Sequence, residues 1–127
     1  LDNSSKYRGF RDLIVYQKSY KLSLRVFEIS KNFPPDEKYS LIDQIRRSSR
    51  SVPANIAEAW PKRRYPKFFV SKLIDSLSEE CETEVWLDTS KDLGYINKDL
   101  HSELLKDYDE VRKMLISMID HPGKFCH

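Results

Sequence analysis

The chain is poor in the residues that break, staple or ligate a fold. It has 3 Gly in 127 residues, too few for the turn-rich connections of a sheet protein or for a Gly-rich phosphate cradle. Its 2 Cys, Cys81 inside a helical pattern and Cys126 in the tail, make neither a disulfide framework nor a zinc signature. Its 3 His are His101, His121 and His127, and no Glu precedes any of them by three residues. The Glu-x-x-His pairs of a di-iron bundle are therefore missing, and no metal or cofactor is expected. No apolar run approaches the ~18 residues of a membrane span, and no signal-peptide pattern opens the chain. The expected setting is a reducing cytoplasm, with no membrane partner. Serines are plentiful, but none sits in a motif for nucleophilic catalysis, so no enzyme is expected.

Charge is what the chain has. The net value is only +2, yet its distribution is lopsided. Residues 1–72 hold 16 Lys/Arg against 7 Asp/Glu, or +9, and residues 73–127 hold 6 against 13, or −7. Such an asymmetry points to a basic face and an acidic face, or to halves that neutralise each other across the fold or between subunits.

Periodicity predicts four helices, at about 12–32, 35–59, 66–92 and 98–120, in a single domain of residues 1–127 with a frayed tail at 122–127. In the first, Leu13, Tyr16, Tyr20, Leu24 and Phe27 recur at spacings of three and four, with Asp12 as the N-cap and Lys18, Lys21, Arg25 and Glu28 opposite. Phe33-Pro34-Pro35 stops it. The second starts near Pro35 with Asp36 and Glu37 in its first turn and carries Leu41, Ile45, Val52 and Ile56 toward the core. Pro53 should kink it without ending it.

In the third, Val70, Leu73, Leu77 and Cys81 form one stripe, while Trp86 and Leu93 project almost opposite to Leu77. Large apolar groups on two sides call for cover on both, and a second subunit would supply it. Gly94 is the expected C-cap. Asn97 should cap the fourth helix, whose Leu100, Leu104, Tyr108, Val111, Leu115 and Met118 keep a heptad. His101, in its first turn, reads as solvated. Four helices with short joints predict an all-α, up-down-up-down antiparallel four-helix bundle.

Three groups of residues carry the candidate chemistry. Arg46, Arg47 and Arg50 fall within a sector of about 100° facing away from Ile45, where planar guanidinium donors suit phosphate oxygens. Asp43 can pair with Arg47, which leaves two uncompensated. Along the edge of the same helix run Gln44, Ser48, Ser51, Asn55 and Glu58, a polar line that is either exposed or satisfied by a partner. The joint after it, Trp60-Pro61-Lys62-Arg63-Arg64-Tyr65-Pro66, reads either as a solvated turn or as a nucleic-acid contact extended by Lys67. On the third helix Asp75, Glu79 and Glu82 make an acidic stripe. Solvation, a charge match with Arg46, Arg47 or Arg50 of a neighbouring subunit, and acid–base or cation chemistry are its three readings.

The stretches FRDLIVYQKSYKL, FPPDEKYSLIDQIRRSSRSVPANIAEA and SKLIDSLSEECETEVWLD, the last followed by LGYI, resemble the four-helix-bundle family of ribosomal RNA intervening-sequence proteins. The resemblance spans Phe10 to Ile119, and its most specific part is Gln44-Ile45-Arg46-Arg47 followed by Ser51-Val52-Pro53-Ala54-Asn55-Ile56-Ala57-Glu58. That family is similar in turn to the accessory variability protein of diversity-generating retroelements. The resemblance implies ring-shaped homopentamers with a basic surface and no catalytic residues. One departure stands out: the family follows Asn-Ile-Ala-Glu with Gly, whereas this chain has Ala59-Trp60-Pro61, which predicts a stiffer exit from the second helix.

The expectation that follows is a non-enzymatic, oligomeric bundle that binds nucleic acid, RNA ahead of DNA. Arg46, Arg47, Arg50, Lys62, Arg63, Arg64 and Lys67 would meet phosphates, and Trp60 and Tyr65 would stack on bases. Gln44, Asn55, Glu58, Asp75, Glu79, Glu82 and Trp86 are the expected oligomer interface. The alternative is an interaction scaffold that docks a partner protein such as a reverse transcriptase.

Overall fold

The computed structural model describes residues 6–126. Four long helices account for most of them: α1 (Ile14–Ser30), α2 (Leu41–Ala59), α3 (Pro66–Asp92) and α4 (Lys98–Asp120), with no strand among the described residues. The most extensive packing is α2 on α3; α1 lies against α2, α4 against α3, and α1 and α4 also touch. One core of Val26, Ile45, Val52, Ile56, Phe69, Leu73, Leu87, Leu104, Tyr108, Val111 and Leu115 runs between them.

The helix ends follow from local chemistry. Asn97 caps α4 by accepting a 2.8 Å hydrogen bond from the Leu100 amide. α3 closes on Gly94, whose φ of 80° is open to glycine. The Tyr95 amide returns to the Ser90 carbonyl and the Gly94 amide to Lys91, the paired bonds of a Schellman closure. α1 and α2 start later than their patterns predict. Asp12 does not cap α1; it lies in a 3-10 turn, Phe10–Asp12, and accepts from the Arg8 amide. Pro35–Glu37 is likewise a separate 3-10 turn. Pro53 lies inside α2, which continues past it to Ala59.

Two buried faces differ from the apolar patterns, for one reason. On α1 the inward residues are Val15, Ser19, Leu22, Ser23, Val26 and Ser30, whereas Tyr20 and Leu24 are exposed. Each serine donates to the carbonyl three residues back, Ser19 to Tyr16, Ser23 to Tyr20 and Ser30 to Phe27. A hydroxyl satisfied by its own helix costs little to bury. On α3 the buried set is Phe69, Leu73, Ser76, Glu80, Thr83, Leu87 and Ser90, an unbroken alternation of four and three with polar residues at more than half its positions, and Cys81 is exposed. Ser76 donates to the Val52 carbonyl and Thr83 to Ser48, at 2.8 and 2.9 Å. The hydroxyls of α3 thus serve as its packing contacts with α2. His101 is buried, not solvated, with Nε2 2.7 Å from Asp88 Oδ1.

The tail is not frayed through Phe125. Pro122–Lys124 turns once more, and the Phe125 ring stacks on Tyr7 and lies 6.2 Å from Phe69. No helix among the described residues is long and apolar enough to cross a membrane.

Candidate nucleic-acid interface

The three arginines of α2 have different environments. Arg46 is half-buried: its Nε donates to Ser30 Oγ at 2.7 Å, and its guanidinium lies 4.4 Å from the centroid of the Phe27 ring. Arg50 is exposed and approaches the same ring, at 5.5 Å. Neither forms an ion pair among the described residues. Stacking and one hydrogen bond hold these guanidiniums in place while leaving other donors open. Lys31, paired with Glu28, adds a third cation over Phe27 at 4.9 Å.

Arg47 is already matched. It bridges Glu79, at 3.1 Å, and Glu82, so its partner is the acidic stripe of the same chain and not Asp43. Lys72 likewise holds Glu58 at 3.2 Å and Asp75 at 3.8 Å. Trp86 Nε1 donates to Glu82 at 3.3 Å, and Asn55 donates to the Ser51 carbonyl at 2.8 Å. Gln44 is half-buried. Most of the residues expected at an oligomer interface therefore lie along one zip of intrachain contacts joining α2 to α3.

Beside that zip an open groove of about 640 Å³ runs along α2. Lys38, Tyr39 and Ile42 line one end, and Arg46, Arg47 and Arg50 its length. Asp43 contributes one carboxylate. Tyr39, which the sequence reading passed over as part of the helix start, is 85% exposed. Its signal was an aromatic residue set between a lysine and a serine in the connection before α2.

The basic joint lies elsewhere. Trp60–Arg64 is a 3-10 turn entered from α2 without reversal, since Ala59 and Trp60 both keep right-handed helical angles. Arg47 and Lys62 are fifteen residues apart on nearly continuous helix, which separates them by roughly 22 Å. The joint therefore lies toward the far end of α2 from Lys38 and Tyr39.

Trp60 is no stacking platform: it is buried, edge-on to Tyr7 at 5.8 Å. Arg63 covers it from outside at 3.6 Å and donates to its carbonyl. A large indole at a helix end gains more from the core than from water. Lys62, Arg64, Tyr65 and Lys67 are exposed; Tyr65 meets the exposed Phe68 edge-on at 5.7 Å.

A carboxylate pair does exist, but it is not on the acidic stripe. Glu80 is fully buried on the α4 side of α3. Burial first, then the hydrogen bond and like charge of Glu84, push its pKa up to about 9, with Arg112 opposing. Glu80 Oε2 and the Tyr108 hydroxyl have no partner among the described residues. Burial and Glu80 also push the Tyr108 phenol upward. Neither Glu80 nor Glu84 lines the groove, so this pair belongs to the interior.

The model of the 23S rRNA-intervening sequence protein family matches residues 11–117. A crystal structure from Bacteroides thetaiotaomicron VPI-5482, of a protein with unknown function from the S23 ribosomal protein family, superposes with a TM-score of 0.76 at 32% identity. The match covers 84% of this chain and 96% of that one. No curated protein matches.

Proposed function

Since the chain belongs to the 23S rRNA-intervening sequence protein family, we propose that it is a non-enzymatic, oligomeric bundle that binds nucleic acid, RNA ahead of DNA, through phosphate contacts. The observation that carries this reading is the pair Arg46 and Arg50, held on Phe27 without a carboxylate partner beside an open groove. Guanidiniums fixed in place and left unpaired are donors waiting for an anion, and a polyanion supplies several at once. Lys62, Arg64 and Lys67, with Tyr65, form a second contact at the far end of α2, and Arg63 adds charge there while bound to Trp60. Arg47 contributes less, because Glu79 and Glu82 hold it.

The helices alternate in direction, a topology supported by contacts whose numbers fall on α2 as they rise on α3: Glu58 with Lys72, Val52 with Ser76, Ser48 with Thr83. Subunits assemble as the homopentameric ring that the resemblance implies, working in the cytoplasm without metal or cofactor. Ile74 and Val85, exposed on α3 near Asp75, Glu82 and Trp86, support a contact there between subunits.

Binding should weaken steeply with salt and show little base reading. A salt titration against structured RNA, single-stranded DNA and duplex DNA tests this, and indifference to all three at physiological salt would sink it. Mass measurement in solution tests the ring, against which a monomeric mass would count. Exposed Tyr65 and Phe68 favour a second reading, in which this aromatic corner docks a partner protein such as a reverse transcriptase. Protein that ignores nucleic acid but captures the polymerase through Phe68 would decide for it.

A further inference from the structure

We infer that the α2 groove takes an unpaired, single-stranded segment of RNA, with the Tyr39 ring as the platform for one base and Arg46 and Arg50 on the flanking phosphates. The inference rests on the nucleic-acid reading above and narrows it to a strand type and a residue. Among the described residues, Tyr39 is the most exposed of the large apolar and aromatic side chains. The Lys38 ammonium lies 5.2 Å from the centroid of its ring, and Tyr39 lines the groove.

The connection that carries Tyr39 is braced. The Glu37 amide bonds to the Pro34 carbonyl at 2.9 Å, the Lys38 amide to Pro35 at 3.1 Å and the Ser40 amide to Glu37 at 3.1 Å. Glu37 accepts from Ser40 Oγ at 2.6 Å and from the Tyr95 hydroxyl at 2.9 Å. Tyr95 is packed in turn against the buried Phe33 at 5.4 Å. These bonds fix the backbone beneath Tyr39 before any ligand arrives, which lowers the ordering cost of binding.

An exposed aromatic ring next to fixed guanidiniums suits a strand whose bases are free. Base–aromatic stacking is tolerant of sequence because every base has a π-face. A duplex keeps those faces inside its own stack and offers the groove phosphates, 2′-hydroxyls and base edges but no face to stack on. The groove should therefore prefer unpaired RNA, and Tyr39 should be the source of the preference.

The test is fluorescence anisotropy with the full chain on a labelled single-stranded RNA oligonucleotide and on the same sequence annealed as a duplex. Tyr39→Ala should weaken single-strand binding about tenfold and leave duplex binding unchanged, while Tyr39→Phe should keep the wild-type preference. An equal loss on both probes, or no loss on either, overturns the inference. Arg50→Ala separates the levels. If it weakens binding to both probes while Tyr39→Ala does nothing, the groove stands and the stacking fails. If wild-type protein binds neither probe, the nucleic-acid reading fails and this one with it.

Discussion

Glu80 and Arg50 are both ionisable groups without an ion pair, and they sit in opposite surroundings. Glu80 is sealed between α3 and α4, where a lone carboxylate would pay heavily for leaving water. It escapes by holding its proton, with a pKa pushed up to about 9. Arg50 lines an open groove, where water solvates the guanidinium at little cost, and arginine has no neutral form to retreat to. An unmatched charge is thus removed by protonation in the interior and preserved on the surface. Arg47 is the internal control: same helix, same residue type, but bound to Glu79 and Glu82. The difference says which charges belong to the fold and which are left for a ligand.

The largest effect should come from the interior. Below pH 4.5 Glu80 is protonated in both folded and unfolded chains and costs nothing. As pH rises toward 9 the unfolded chain gives up the proton and the folded one keeps it, so stability falls across that window and levels off above it. Glu80→Gln removes the titrating proton. It should stabilise the protein at pH 8 relative to wild type by roughly 2–4 kcal/mol, with little gain at pH 5. Urea midpoints at the two values check it. An equal gain at both would mean that burial does not raise the Glu80 pKa, and an equal loss at both that Glu80 is ionised and paired in the folded state.

Next in size is the groove. Arg46→Ala with Arg50→Ala should weaken binding to single-stranded RNA about 100-fold, taking roughly 1.5 kcal/mol for each charged hydrogen-bonding group. The slope of log affinity against log salt should become shallower by about 1.4, at about 0.7 per phosphate contact on a single strand. Stability should fall by about 1–2 kcal/mol, because the Arg46 hydrogen bond to Ser30 and the cation–π contacts with Phe27 are lost. A loss of affinity with an unaltered slope would point to a reshaped groove instead of lost phosphate contacts.

Legibility followed the same division between matched and unmatched groups. α4 was readable because Leu104, Tyr108, Val111, Leu115 and Met118 fill five of its six buried positions, and only His101 at the sixth, held by Asp88, escaped the pattern. α3 was not, because its inward heptad uses Ser76, Glu80, Thr83 and Ser90, whose burial depends on partners in α2 or in their own helix. α1 was phased wrongly by the same substitution of hydroxyls for apolar groups at Ser19, Ser23 and Ser30. The arginines of the site were visible in the sequence. Their separate fates were not, since only the packing of α2 against α3 brings Arg47 to Glu79 and Glu82 and leaves Arg50 aside. Trp60 misled because an indole beside three cations reads as a surface feature until Tyr7 and Phe125, distant in sequence, close over that end.

Arg47→Ala sharpens the control. Losing a half-exposed pair to two carboxylates should cost at most about 1 kcal/mol of stability, visible as a small drop in the urea midpoint. The salt slope of RNA binding should not move, because no phosphate contact is lost. A slope shallower by about 0.7 would place Arg47 on phosphate and show that the acidic stripe releases it on binding.

The smallest effect lies at the far end of α2, where the same contrast recurs between neighbours. Arg63 covers the buried Trp60 and donates to its carbonyl, while Arg64 is exposed and forms no ion pair among the described residues. Arg63→Ala should lower stability by about 1 kcal/mol through the lost cation–π contact and hydrogen bond. Arg64→Ala should leave the urea midpoint alone and make the salt slope shallower by about 0.7. That second result depends on length, because Lys62 lies roughly 22 Å from Arg47 along the helix. A strand too short to span both patches should show no Arg64 effect, and lengthening it should bring the effect in. An Arg64 contribution that is absent at every length would confine the binding surface to the groove and free the Tyr65 and Phe68 corner for a protein partner.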